Sequence, residues 1–175
     1  MKFYAIDASS NVKEYLKLGN DIDRIRKACS LSEFQHLDRN VCYSELDEES
    51  GNLCQDFIYD RGIPLVSEKV KDFFDEYGID YLFYKKIILK KTTVGIEEPY
   101  WLALPPRIDC LNFEESEIDT FLNSADEIVI NENKIGRYEI FKLGKVTNLE
   151  IVVTENLAKK LKEKKFVGMH IYSLS

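Results

Sequence analysis

Residues 64–84 read PLVSEKVKDFFDEYGIDYLFY, and residues 151–171 read IVVTENLAKKLKEKKFVGMHI. Aligned without a gap, both follow one plan: a short apolar strand, a hydroxyl residue, a glutamate, an amphipathic helix, a glycine near the helix end and a second strand. Ser67 falls opposite Thr154, Glu68 opposite Glu155, Val70 opposite Leu157 and Phe74 opposite Leu161. Ser67 and Thr154 are natural N-caps, because a hydroxyl oxygen there accepts from a free N–H of the first turn. Glu68 and Glu155 put negative charge at the positive end of each helix dipole. Val66, Val70, Phe73, Phe74 and Tyr77 recur at helical spacing and form one apolar face, which Gly78 ends. In the second stretch Val153, Leu157 and Leu161 make a narrower stripe, and Lys159, Lys160, Lys162, Lys164 and Lys165 crowd the rest of the helix.

Outside these stretches the pattern is simpler. Tyr81, Phe83, Ile87 and Leu89 alternate and predict one face of a strand. Tyr100–Leu104 reads as a strand stopped by Pro105 and Pro106, which cannot donate to a ladder. Ile108–Phe113 reads as another short strand. Glu127–Ile130 and Tyr138–Leu143 predict a hairpin around the polar loop NENKIG. Upstream, Lys2–Ile6 predicts a strand, Asn11–Leu18 and Asp21–Cys29 carry helical patterning, and Ser44–Gly51 is an acidic, exposed loop. Each strand–helix–strand connection implies parallel strands and a right-handed crossover if both strands share a sheet. The expected fold is α+β: a mixed β-sheet with two repeated strand–helix–strand units, at 63–89 and 150–174, and an intervening β-hairpin. The expected organisation is a single domain over 1–175, with 1–60 a variable N-terminal portion and 62–175 the core.

Composition narrows the class of function. The chain has 175 residues, is 45% hydrophobic and 31% charged, and carries a net charge of −7. That charge disfavours nucleic acid and anionic membranes, whose recognition needs Lys and Arg against phosphate; it suits a basic partner. Residues 1–60 hold 7 basic and 12 acidic groups, 61–148 hold 12 and 16, and 149–175 hold 5 and 3, so the last helix is a basic patch on an acidic body. The opening MKFYAIDASS is not read as a secretory leader, because Asp7 interrupts its apolar run. No apolar run approaches the roughly 20 residues that span a bilayer. Cys29, Cys42, Cys54 and Cys110 show no C-x-x-C spacing, and His36 and His170 are the only histidines. A zinc site is therefore not indicated, and the expectation is reduced, mostly buried thiols.

Catalytic motifs are missing. There is no G-x-S-x-G elbow, no GxGxxG and no P-loop pattern. His170 falls within a predicted strand and reads as structural, and His36 carries no stronger signal. The segment NFEESEIDTF gathers Glu114, Glu115, Glu117 and Asp119. It reads first as a solvated helix start capped by Ser116. It also reads as a negative docking surface or, with Asp109, as a carboxylate set for a metal-dependent hydrolase. The lysines of the last helix read as a solvated face, and Trp101 as a packing residue.

The stretches GIPLVSEKVKDFFDEYGID, YWLALPPRIDCLN followed by Ser116, IVINENKIGRYEIFKLG and IVVTENLAKKLKEKKFVGMHIY resemble, in order and spacing, immunity protein family eleven of bacterial polymorphic toxin systems. The resemblance spans about residues 62–173. It implies a cytoplasmic, non-catalytic protein that binds a cognate protein toxin and blocks it; no cofactor is expected, and the charge and the lack of an apolar span set aside nucleic acid and membrane as partners. If that toxin is basic, Glu45, Asp47, Glu48 and Glu49 together with Glu114, Glu115, Glu117 and Asp119 are the candidate partner-binding residues. A small adaptor unrelated to toxins is the other non-catalytic expectation.

Overall fold

The computed structural model describes residues 1–9, 12–31, Leu37 and 42–174. His36 lies outside them. The fold is α+β with mixed sheets, and the chain divides into two compact units.

The first unit comprises Met1–Asp7, Pro105–Lys165 and His170–Ser175. Its sheet has the order β12-β1-β11-β10-β7, built from β1 (Phe3–Ala8), β7 (Arg107–Ile108), β10 (Ile140–Leu143), β11 (Ile151–Thr154) and β12 (Met169–Ser173). β11 runs antiparallel to β1 and β10, and β10 runs parallel to β7. β10 and β11 are buried along their whole length. The reason is that both faces of the sheet are covered. One face packs Phe141, Leu143 and Val152 with Cys110, Leu111 and Val146, and Phe3 meets Phe141 edge-on at 6.3 Å. The other carries Tyr4, Ile6, Ile151 and Val153 and is covered by α3 (Glu155–Lys164), whose Lys162 ammonium lies 4.6 Å from the Tyr4 ring.

The second unit comprises Ala8–Leu104 and Phe166–Met169. Its sheet order is β2-β5-β6-β4-β3, from β2 (Cys42–Glu45), β3 (Phe57–Asp60), β4 (Ile63–Val66), β5 (Phe83–Lys91) and β6 (Ile96–Leu104). β5 and β4 both run antiparallel to β6, which separates them, so they are parallel to each other; β2 runs parallel to β5. Ile87, Leu89, Leu65 and Leu102 face Ile22, Ile25 and Cys29 of α1 (Asp23–Leu31) and the turn before it. α2 (Glu68–Tyr77) packs against β4 and β6 with Val70, Phe73 and Phe74 buried. Trp101, opposite Val66 on β6, donates its indole N–H to Glu68 at 2.7 Å and has Lys71 and Lys86 over its ring.

The two helices that follow β4 and β11 start alike. Ser67 has φ −66°, ψ 163°, and Thr154 has φ −68°, ψ 160°; a ten-residue helix follows each. Their hydroxyls act differently. Thr154 Oγ1 accepts from the Leu157 N–H at 3.5 Å, as a capping hydroxyl should. Ser67 sits at the N-cap position but accepts nothing there; it donates to Asp56 Oδ1 at 2.9 Å. The buried carboxylate is a strong acceptor, and it orients the hydroxyl toward itself. The strands flanking α3 are also not neighbours, because β1 lies between β11 and β12.

Three local expectations fail. The described residues of the 11–18 segment form turns and single bridges, Tyr15 to Leu53 and Leu18 to Leu46, rather than a helix. The segment at 114–119 is a turn running into a strand, β8 (Glu117–Asp119), which pairs with β9 (Ser124–Glu127). The hairpin expected between 127–130 and 138–143 does not form either, since β10 pairs with β11 and β7. In each case non-local sheet pairing overrides a local signal.

Asp56 accepts from Ser67 Oγ, from the Val167 N–H at 2.9 Å and from Lys69 at 3.3 Å. Replacing Asp56 by Ala takes the acceptor from a part-buried N–H and a part-buried hydroxyl. We expect a loss of about 2–4 kcal/mol in urea unfolding, with Asp56→Asn losing about half of that. Gly168 has φ +84°, and a Cβ there would lie 2.8 Å from Gln55 Cβ and the Phe57 carbonyl. Gly168→Ala should cost about 2–3 kcal/mol by the same measurement.

Candidate partner-binding surface

The acidic loop after β2 spends part of its charge on itself. Glu45 accepts from the Thr92 N–H at 2.8 Å and the Thr92 hydroxyl at 3.1 Å, which ties it to the β5–β6 turn. Asp47 Oδ1 accepts from the Glu49 N–H at 2.8 Å and shapes the turn. Glu48 and Glu49 are exposed. With Asp21, Gly19 and Asn20, the loop lines a concavity of about 530 Å³ whose charged side chains are all carboxylates.

The second acidic segment is built differently. Glu114 and Glu115 are exposed in the turn before β8, and Glu117, Asp126 and Glu127 are exposed on the two strands. Ile118 and Ala125 pair across the hairpin and point to the core of the first unit. Ser116, expected as a helix cap, instead bridges both backbone groups of Val129 at 3.1 and 3.3 Å. Asp119 turns its carboxylate inward: Oδ1 accepts from the N–H of Phe121 at 2.8 Å and of Leu122 at 3.0 Å.

That inward turn has a consequence at the hairpin tip. Thr120–Asn123 carries Phe121 at 94% and Leu122 at 59% exposure. Its backbone is tied down from a neighbouring segment of the same unit. The Thr147 hydroxyl donates to the Leu122 carbonyl at 3.0 Å, and the Thr147 N–H donates to the Asn123 carbonyl at 2.8 Å. The Asn123 side chain donates to the Lys145 carbonyl, and the Asn148 side chain brackets both backbone groups of Ala125 at 2.7 and 3.0 Å. A hydrogen-bonded backbone therefore holds two large apolar side chains in water at the tip of a hairpin whose strands carry exposed carboxylates. Sequence reasoning passed over Phe121 and Leu122. The available signal was an apolar pair inside an Asp-x-x-x-Asn turn pattern, where Asp119 initiates the turn and Asn123 tolerates a positive φ of 52°.

The other candidates assemble no chemistry among the described residues. Asp109 pairs with Lys145 at 2.5 Å, and that bond holds its carboxyl below the usual range, against an opposing effect of desolvation. Among the described residues no group of three or more His, Cys, Asp or Glu is placed to hold a metal ion, and Asp109, Glu114, Glu115 and Glu117 form no such group. Burial pushes the Cys110 thiol up to about 11. Burial and then Glu98 raise that of Cys54, so neither is an activated nucleophile. His170 is exposed on β12 and stacks on Tyr172 at 5.8 Å. On α3, Lys159 pairs with Glu155 and Lys160 with Glu163, both at 3.1 Å. Among the described residues no helix is long and apolar enough to cross a membrane.

Asp119→Ala removes the acceptor for two tip amides. Amide exchange at Phe121 and Leu122 should rise at least about tenfold, while global stability falls by less than about 1 kcal/mol, because the opening is local and exposed.

No curated protein matches the sequence. The sequence model of the Immunity protein family (Imm11) matches residues 32–174, most of the chain and a longer span than the resemblance noted above. Together with the α+β fold, this match establishes that the chain belongs to the Imm11 immunity protein family.

Proposed function

We propose that this chain is a bacterial, cytoplasmic immunity protein that binds one cognate toxin of a polymorphic toxin system and neutralises it by covering its active site or substrate groove, without catalysing a reaction. The observation that carries this is the family match over residues 32–174. The net charge of −7 supports a basic partner surface, such as the groove of a toxin that acts on nucleic acid. Glu48 and Glu49 in one unit, and Glu114, Glu115 and Glu117 in the other, are the exposed carboxylates assigned to that partner. Glu45, Asp47 and Asp119 shape the surface instead, since the Glu45 carboxylate is tied to the β5–β6 turn and those of Asp47 and Asp119 to their own turns.

The toxin module encoded beside this chain's gene is the partner to test. Co-expression should restore growth, and the two chains should co-purify. If growth is not rescued and nothing co-purifies, the proposed function is wrong. Charge reversal at Glu114, Glu115 and Glu117 together should slow association by about 3–10-fold at low ionic strength, a difference that fades as salt screens the charges. An unchanged rate at low salt would remove this segment from the steering surface.

A further inference from the structure

We propose that the β8–β9 tip is the anchor of the toxin complex: Phe121 and Leu122 enter an apolar socket bordered by basic side chains on the toxin. This rests on the immunity function proposed above and names the surface and the contact chemistry.

Single exposed apolar residues are ordinary and need no explanation. This pair differs in three respects. First, Phe121 at 94% exposure barely touches its own chain, so packing does not account for its presence. Second, its backbone is not left loose. Asp119 holds the amides of residues 121 and 122, and Thr147 holds the carbonyls of 122 and 123. Asn123 reaches the Lys145 carbonyl and Asn148 clamps Ala125. Such bracing removes in advance much of the ordering entropy that association would otherwise lose. Third, the hairpin that carries the tip is acidic: Glu117, Asp126 and Glu127 are exposed on its strands, and Glu114 and Glu115 in the turn that leads into it. The cation next to the tip in the fold, Lys145, has its ammonium engaged by Asp109. A braced aromatic anchor beside a charged strip matches the division of labour at interface hot spots, where the anchor sets residence time and the flanking charges set capture rate. Charge complementarity therefore selects a basic protein surface as the occupant.

The experiment compares the full chain with Phe121→Ala, Leu122→Ala and the charge-reversed Glu114, Glu115 and Glu117 variant. Association and dissociation are measured against a catalytically dead form of the toxin module encoded beside this chain's gene, at low and high salt. Phe121→Ala should speed dissociation at least about tenfold with association nearly unchanged; the charge-reversed variant should do the opposite. Phe121→Leu should recover part of the residence time. All tip variants should keep the wild-type melting temperature, because the side chains contribute little to the fold. If the wild type binds and Phe121→Ala dissociates at the wild-type rate, the anchor proposal falls while the immunity function stands. If the wild type does not bind, both fall together. If sedimentation shows that the wild type self-associates and Phe121→Asp makes it monomeric, the tip is a contact between copies of this chain and the proposal is overturned.

Discussion

One carboxylate, Asp56, brings three parts of the second unit together. Its side chain accepts from the hydroxyl at the start of α2 and from the backbone of the 166–169 segment. Its own backbone bonds both as well, with the N–H to the Val167 carbonyl and the carbonyl to the Ser67 N–H, each at 2.8 Å. Asp56 is 9% exposed, so these bonds form in a medium where an unmade one is costly. The start of a helix, the edge strand β3 and a distant stretch of sequence are thereby fixed to one point. Gly168 belongs to the same arrangement: only a residue without a Cβ lets that stretch approach Gln55 and Phe57 so closely.

In the first unit the corresponding task falls mostly to side chains that hold backbone, with the Thr147 N–H adding one backbone bond. The β8–β9 hairpin is a two-stranded ribbon with a bulge, and a ribbon of that size is marginal alone. Ile118 and Ala125 anchor it in the core, and Thr147 and Asn148 fasten its far end. The carboxylates around it then divide by what their oxygens meet. Asp119 shapes the turn, whereas Glu114, Glu115 and Glu117 remain at the surface. Charge density in a sequence gives the net field near a segment. It does not reveal which carboxylates are already engaged.

Much of the regular structure could be read directly. α2 at Glu68–Tyr77 and α3 at Glu155–Lys164 follow from a hydroxyl, a glutamate and an apolar stripe of period 3.6. β5 follows from alternation and the end of β6 from two prolines. The errors share one cause. Ser116 followed by Glu117 imitates a helix start, yet the segment finds a strand partner across a four-residue loop. Tyr138–Leu143 has a plausible partner nearby in sequence, yet β10 is buried on both faces and pairs with β11 and β7. A short apolar run states that it will be buried; it does not state beside what.

Local patterning in this chain was enough to specify α2 and α3, its principal strands, its acidic surface and the motifs that mark its family. Those properties depend on residues within one or two turns of each other, or on composition alone. The pairing of the sheets, the diversion of Ser67 from its helix to Asp56, and the rigid display of Phe121 and Leu122 arise only on folding. Each needs groups far apart in sequence to meet at hydrogen-bond distance: 11 residues separate Ser67 from Asp56, 25 separate Thr147 from Leu122, and 111 separate Val167 from Asp56. No local signal encodes such a meeting, because its stability comes from burial and bond geometry that exist only once both cores have formed.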